Sequence, residues 1–479
     1  MIRLLLSLTL FINLYALDTN TSKEIKYLEN DTLFHAQRES GLSVYDAINR
    51  ALKLNDKLNA SYQVVIQDKQ KVKEVEAGHL PVVNLSGDLG QETRTFKADD
   101  TNPEPAGTAP VVKTYQYKKT DLYFTITENL WNGGSIENSV DEKDASLKAS
   151  MYDYRDKLEE IVVDVTTTYF EVVYSEIALK IALKNMLHYE KILNIVSIKE
   201  RNGAATKGDV NFIRANVDNA KTELLQRKKT LSDALAQYVY LLQTEKSTDL
   251  PYEITTDFYK ADLNTSLINA DLNNAKILKQ KSYIKATKFG FLATRGNFQP
   301  KVDFTVNAES RNEFDVGIGQ REKINALLTF NYNLYNGGKD EATAIRLLAK
   351  MNEQKYLYKD LKRSLVFEIT VLNQSVSTLA DSLGLTHSEV IAARKVVKSY
   401  WLSFQNGTQD LQALQLAQRN LNRAEQDYAK YKKDLIINNF ELMRKTGDLL
   451  PKLSLLYKKE AKQFKSQEVN FYRGYNNLK

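Results

Sequence analysis

"ENLWNGGSIENS" begins at Glu128, and "YNLYNGGKDEAT" begins at Tyr332. Each contains Asn-Leu-aromatic-Asn-Gly-Gly. Asn129 and Asn333 are 204 positions apart, and so are Gly133 and Gly337. Such a pair can be a coincidence, a phosphate-cradling glycine loop, or the mark of a duplicated architecture. A phosphate loop needs a following Lys-Ser/Thr or a G-x-G-x-x-G pattern, and neither is present. The flanking sequence therefore has to decide.

Downstream of each motif the pattern is helical. From Leu147 through Met151, Tyr154, Leu158, Ile161 and Val165 to Val196, apolar or small residues recur in steps of four and three. This is a heptad seam, and its small members Thr168, Ser175 and Ala182 admit a closely packed partner helix. Gly and Pro are absent from Ser135 to Arg201. That length predicts a rod of about 100 Å at the helical rise per residue. A second rod is expected over Lys339–Gln405, with Leu361, Leu365, Leu372 and Leu379 in a comparable frame and Gly384 as a weak point. The seven prolines avoid both regions, as long helices require. The rods end alike, at "RNGAATKGDV" from Arg201 and "QNGTQDLQAL" from Gln405, with Asn202 and Asn406 again 204 apart. Asn-Gly after a helix signals a C-cap and a turn, and a further helical pattern follows each.

Upstream the period changes to two. Val83 and Leu85 alternate with Asn84 and Ser86, and Leu122, Phe124 and Ile126 alternate with Tyr123, Thr125 and Thr127. In the second half Val302, Phe304 and Val306 alternate with Asp303, Thr305 and Asn307. There Ala326, Leu328, Phe330, Tyr332 and Leu334 alternate with Leu327, Thr329, Asn331 and Asn333. Each half thus predicts two strands with one apolar and one mostly polar face. The first pair encloses the longer loop, containing "DDTNPEPAGTAP". One helix is expected before each strand pair, the first starting at Leu42 with Ser43 and Asp46 as a capping-box variant.

Composition narrows the class. The 479 residues carry a net charge of +6, too mild to point to nucleic acid, and no cysteine. That excludes disulfides, thiolate metal sites and an acylated cysteine. Met1-Ile2-Arg3 followed by "LLLSLTLFINL" and a small residue at Ala16 reads as a secretory leader, too short to span a bilayer. No later stretch is apolar enough for a spanning helix, so an exported chain of this kind is soluble or spans as a β-barrel. Four strands cannot close a barrel, and open edges are not tolerated in lipid. A membrane-spanning version must share its barrel between subunits. The expected organisation is a leader at 1–16, an extension at 17–41 and a first repeat at 42–250. A connector at 251–262, a second repeat at 263–450 and a C-terminal equatorial segment or tail at 451–479 follow.

Taken in order, "LSVYDAINRALKLNDKL", "AGHLPVVNLSGDLG", "ENLWNGG", "NGAATKGDV", "FQPKVDFTVNAES", "YNLYNGG" and "NGTQDLQALQLAQ" resemble the TolC family of outer-membrane channel-tunnels. The likeness runs from Leu42 to Leu450. It implies an α+β membrane protein: a long antiparallel coiled-coil tunnel plus four transmembrane strands per subunit, completed as a homotrimeric 12-stranded barrel in outer-membrane lipid. It also implies a Gram-negative outer-membrane location, a tunnel in the periplasm, a periplasmic adaptor, and an inner-membrane transporter of the ABC or RND type. Asn132, Gly133, Gly134 and Asn336, Gly337, Gly338 then mark the exits from strand to tunnel helix.

By the same resemblance, Asn202, Gly203, Ala204 and Asp209, with Asn406, Gly407, Thr408 and Asp410, form the periplasmic tips that dock the adaptor. The plainer reading of Asp209 and Asp410 is helix N-caps, and both roles can coexist. Asp209 fits the family's G-x5-D-V pattern. Members with an aspartate ring at the pore entrance carry it where this chain has Ala413 and Leu416, so the carboxylates are missing here. His35, His79, His188 and His387 have no ligand spacing, and no catalytic triad or carboxylate pair stands out. No metal, cofactor or enzymatic activity is expected. The leading expectation is a passive exit duct of type I protein secretion, on the likeness of "REKINALLTFNYNLYNGGKDEA" to that branch. Multidrug or small-molecule efflux is the alternative. A soluble coiled-coil adaptor would have no reason for four alternating strands.

Overall fold

The computed structural model describes residues 42–97, 112–246, 262–315 and 318–453. The leader, the extension through residue 41, the "DDTNPEPAGTAP" segment, most of the connector and the tail from residue 454 lie outside the described residues. Each half repeats one order of elements. The first runs α1 (Val44–Leu54), α2 (Asp56–Glu76), β1 (Val82–Lys97), β2 (Val112–Trp131), α3 (Ser135–Arg201) and α4 (Lys207–Leu242). The second runs α5 (Leu263–Asn273), α6 (Ala275–Arg295), β3 (Lys301–Asp315), β4 (Ile318–Asn331), α7 (Lys339–Gln405) and α8 (Leu411–Thr446). The two rods α3 and α7 each have 67 residues, and Gly384 does not interrupt α7.

Two expectations are corrected. The helix before each strand pair is not continuous. It breaks at Asn55, whose backbone is extended and whose Oδ1 accepts the Leu58 N–H at 3.0 Å. The second half breaks likewise at Asn274, which donates to the Lys445 carbonyl at 2.9 Å. At Asn55 the side chain supplies a local hydrogen bond that competes with the helical ladder, whereas at Asn274 it ties the break to the C-terminal end of α8. In addition, β4 ends at Asn331, so Tyr332 and Leu334 continue the alternation in sequence without belonging to the strand.

The residues fall into two compact units. One comprises Asn59–Asp156 with Ala275–Arg363 and contains the sheet. Its four strands are antiparallel in the order β1-β2-β3-β4, so β1 and β4 are its edges. The register aligns Leu85 with Phe124, Phe124 with Ala308, and Ala308 with Ile324. Since side chains alternate along each strand, Leu85, Phe124, Phe304 and Phe330 all share one face. Asn84, Thr125, Thr305 and Thr329 share the other.

The apolar face is not buried as it would be in a soluble sheet. Leu85, Leu328 and Phe330 are 68%, 70% and 65% exposed, whereas Asp121 on the polar face is only 6% exposed. The polar face is satisfied by cross-strand bonds. Asn129 donates to Asp303 at 2.7 Å and Asn307 to Asn325 at 3.1 Å. Lys119 reaches Asp121 at 3.5 Å and Asp88 at 3.8 Å, and Arg311 lies over the Tyr123 ring. Leu327 is the one apolar side chain in the row between Thr329 and Asn325.

The other unit, Met1–Leu58 with Lys157–Asn274 and Ser364–Lys479, is helical in its described part. Ser43 caps α1 by accepting the Asp46 N–H, as its spacing suggests. Tyr45, Ile48, Val162, Phe170, Leu435 and Ile436 are buried apolar side chains of this unit. Buried polar groups add specific links. Glu425, 2% exposed, accepts from Arg394 at 2.9 Å and lies 3.8 Å from Lys184, which joins α3, α7 and α8. Gln418 of α8 donates to Asn185 of α3 at 3.2 Å. The heptad seam of α3 is buried or half-buried throughout, but α7 leaves Phe367, Val371, Leu385 and Leu402 exposed.

Candidate functional site: helix tips and strand exits

Both tips are built by the same backbone solution. The α3 helix closes with the Gly203 N–H on the Glu200 carbonyl at 2.9 Å and the Ala204 N–H on Lys199 at 2.7 Å. The α7 helix closes with Gly407 on Phe404 at 3.2 Å and Thr408 on Ser403 at 2.9 Å. These are Schellman closures, which need a left-handed residue at the turn. Gly203 and Gly407 supply it, with φ of +74° and +76°. The Asn202 and Asn406 N–H groups still bond back into their helices, at 3.2 and 3.1 Å.

The following helices start on caps. Thr206 and Asp209 form a reciprocal capping box, the Thr206 hydroxyl accepting the Asp209 N–H and the Asp209 carboxylate accepting the Thr206 N–H. The second of these bonds, with that from the Thr206 hydroxyl, holds the Asp209 carboxyl below its ordinary value. Asp410 caps α8 through the Ala413 N–H at 2.6 Å. Asp209 is thus a capping-box partner and Asp410 an N-cap.

The structure brings the two tips together. Tyr189, Ile192 and Val196 of α3 pack with Ile213 and Val217 of α4, Phe404 of α7 and Leu414 of α8. Lys199 crosses from the first tip to the second. Its ammonium donates to the Phe404 carbonyl at 2.8 Å and sits 4.2 Å from the centre of the Phe404 ring. Leu416 is 53% exposed. The duplication has a further consequence that reading the motifs alone misses. Phe212 stands 204 positions before Leu416, and Ile198 stands 204 before Leu402. All four are exposed apolar side chains, and the repeat offset is the signal that could have found Phe212, Ile198 and Leu402.

His188, the histidine of this region, lies against Trp401, with ring centres 5.0 Å apart. Burial, and then Lys191 and Lys184, push its pKa down to about 4. An unfolded chain would protonate it near the ordinary 6.5. The unfolded state therefore binds the extra proton first, and stability at this end falls as pH drops from about 6.5 and levels off below about 4. Once the intrinsic slowing of exchange in acid is divided out, the protection of α3 and α7 amides around residues 188 and 401 should fall between pH 7 and pH 5, and His188→Phe should remove that dependence. An unchanged pH profile in the variant would assign the effect elsewhere.

The strand exits differ from each other. Asn132 caps α3 through the Ser135 N–H at 3.1 Å, and Gly133 and Gly134 have φ of +69° and +76°. Gly133 lies against Gln299 so closely that an added Cβ would come within 2.4 Å of it, and one at Gly296 would come within 2.8 Å of Ser135. In the second exit Gly337 and Gly338 have φ of +59° and +78°, yet an added Cβ would meet nothing within 4 Å. Asn336 donates to Asp340 at 3.2 Å.

Comparison with known proteins fits this geometry. A family model described as outer membrane efflux protein matches residues 47–242 and 267–448, one copy for each half. The chain belongs to the outer membrane efflux protein family. The interruption between the matched segments contains the connector. Three solved structures share the fold of this family member. CusC superposes with a TM-score of 0.72 at 14% identity, covering 86% of this chain and 96% of CusC. VceC of Vibrio cholerae gives 0.71 at 15% identity, covering 84% and 96%. The CmeC outer membrane channel of Campylobacter jejuni gives 0.69 at 15% identity, covering 90% and 95%. The comparison with curated protein sequences finds no match. Among the described residues no helix is long and apolar enough to cross a membrane.

Proposed function

We propose that this efflux-family protein is the outer-membrane exit duct of a tripartite export system, passively conducting cargo delivered by an inner-membrane transporter and a periplasmic adaptor. The observation that carries the reading is the inverted sheet. Its apolar face is largely exposed, its polar face is linked by cross-strand hydrogen bonds and ion pairs, and both edges of the described sheet are open. Lipid outside and water inside reward that polarity, and edges in lipid must be paired. Three copies would supply a closed 12-stranded barrel in the outer membrane of a Gram-negative cell, and the exposed apolar side of α7 fits burial against a neighbouring copy.

The tips Asn202–Ala204 with Asp209, and Asn406–Thr408 with Asp410, are the adaptor-docking ends in this reading. Ala413 and Leu416 line the entrance, which lacks carboxylates at those positions. Asn132–Gly134 and Asn336–Gly338 turn the chain from barrel into tunnel. The cargo assignment leans to type I protein secretion, on the sequence around β4 and the second exit. Small-molecule efflux is the alternative, favoured by the family description and by relatives described as outer membrane channels. Deleting the gene and measuring secreted proteins and drug susceptibility side by side separates them. Loss of one or a few secreted proteins with unchanged susceptibility supports secretion. Sensitisation to small toxic compounds with an unchanged secretome moves the duct to efflux, and no change in either contradicts export altogether.

A further inference from the structure

A groove of about 580 Å³ runs between α3, α6 and α7, within the unit that contains the sheet. Its volume is in the range of small-molecule sites. From α6 it is lined by Ala286, Gly290 and Ala293, all buried. Glu142 and Ser146 line it from α3, and Lys350 and Gln354 from α7.

The duplication shows that this groove is not a default of the fold. Residues of α6 map onto α2 by 219, the distance from Asn55 to Asn274 and from Pro81 to Pro300. Ala286, Gly290 and Ala293 then correspond to Gln67, Lys71 and Glu74, which are long, polar and exposed. Small residues therefore replace long ones at three places on one helix face. One of them is a glycine, which weakens a helix interior. The missing side chain makes room for Glu142: a Cβ added at Gly290 would come within 3.0 Å of its Oε2. The carboxylate thus lies against the α6 backbone.

The hydrogen-bonding groups of the groove are unevenly divided. The Ser146 hydroxyl donates to the Glu142 carbonyl at 2.8 Å, Thr287 to the Tyr283 carbonyl at 3.0 Å, and Thr294 to the Gly290 carbonyl at 3.1 Å. A hydroxyl has one proton, so these three oxygens have only lone pairs left to offer a ligand. Glu142 adds a charged acceptor. Its Oε1 takes a bond from Lys143 at 3.2 Å, and its Oε2 is the oxygen turned to Gly290. On the α7 side, Gln354 already accepts from Gln280 at 2.9 Å through its Oε1 and keeps its amide N–H groups, and Lys350 is exposed. The α3 and α6 sides offer acceptors, and the donors stand on α7.

We infer that this groove binds a small organic ammonium compound, held by the Glu142 carboxylate and the surrounding hydroxyl oxygens. A primary ammonium has three donors and no acceptor, which complements those groups, and its bond to a carboxylate is charge-assisted. A small anion would meet a carboxylate and lone pairs instead. Lys350 carries an ammonium on a flexible stem, so it competes with such a ligand and does not hold it. The inference stands apart from the export reading, since it concerns one subunit's own helices.

The test is calorimetric titration of the full, detergent-extracted protein with 1,4-diaminobutane, with acetate as the anionic control. The wild type should bind the diamine at one site per chain and acetate not at all. Glu142→Gln should weaken diamine binding by about tenfold or more, the loss of one hydrogen bond to a charged group. Lys350→Ala should tighten it. Gly290→Lys, which restores the residue type of α2, should abolish it, with circular dichroism and light scattering unchanged from wild type. Lys71→Ala, at the corresponding place on α2, should leave it as it is. Absence of diamine binding to the wild type, equal binding by Glu142→Gln, or weaker binding by Lys350→Ala would each overturn the inference. Binding of acetate that is lost in Lys350→Ala would assign the groove to anions.

Discussion

Arginine at Leu85, Phe124, Phe304 or Phe330 should cost about 2–4 kcal/mol of barrel stability where the site lies near the bilayer midplane, and arginine at Asn84, Thr125, Thr305 or Thr329 much less. The four apolar positions share one face of the sheet through the pairs Leu85–Phe124, Phe304–Leu328 and Val302–Phe330. A cation at Leu85, Phe124 or Phe330 has hydrocarbon around it, whereas Phe304 lies opposite Glu128, so its cost should be the smallest of the four. On the opposite face, the protein already accommodates Lys119 and Arg311 by pairing them with carboxylates and the Tyr123 ring. The measurement is folding into lipid vesicles under a urea gradient, one variant at a time. Equal cost on both faces would mean that the sheet does not separate lipid from water.

Valine at Gly203 or Gly407 should abolish export while leaving the assembled trimer intact. Both glycines have left-handed backbone, a conformation that costs a β-branched residue about 1–3 kcal/mol. An added Cβ meets nothing within 4 Å at either position, so the strain is confined to the turn. The affected Schellman bonds hold the two segments that the proposed function assigns to adaptor docking. Heat-resistant trimer and export are scored in the same cells. Loss of trimer would make the glycines purely structural, and full export with normal trimer would place the partner contact elsewhere.

The sequence exposes some of this architecture and conceals the rest for definable reasons. The strands are legible because two different solvents face the sheet, which stamps a period of two on residues such as Leu85 and Asn84. The long rods are legible because α3 carries a heptad seam and neither Gly nor Pro. The breaks at Asn55 and Asn274 are hidden because the apolar period continues across them, and the competing signal is one amide side chain, which closes a local hydrogen bond at Asn55 and reaches the Lys445 carbonyl at Asn274. The end of β4 at Asn331 is hidden because Tyr332 and Leu334 extend the alternation past the last ladder bond. The tip turns could be placed from Asn-Gly, and the structure adds the link between them through Lys199 and Phe404. The exposed apolar pairs Ile198–Leu402 and Phe212–Leu416 required the repeat offset to be applied residue by residue.

In the proposed duct, four strands with two open edges complete their barrel only with further copies of the chain. Light scattering of the detergent-extracted protein, corrected for bound detergent, tests it most directly. A single species of three chains, each of at most 54.7 kDa, is expected. A monodisperse, folded monomer would contradict it.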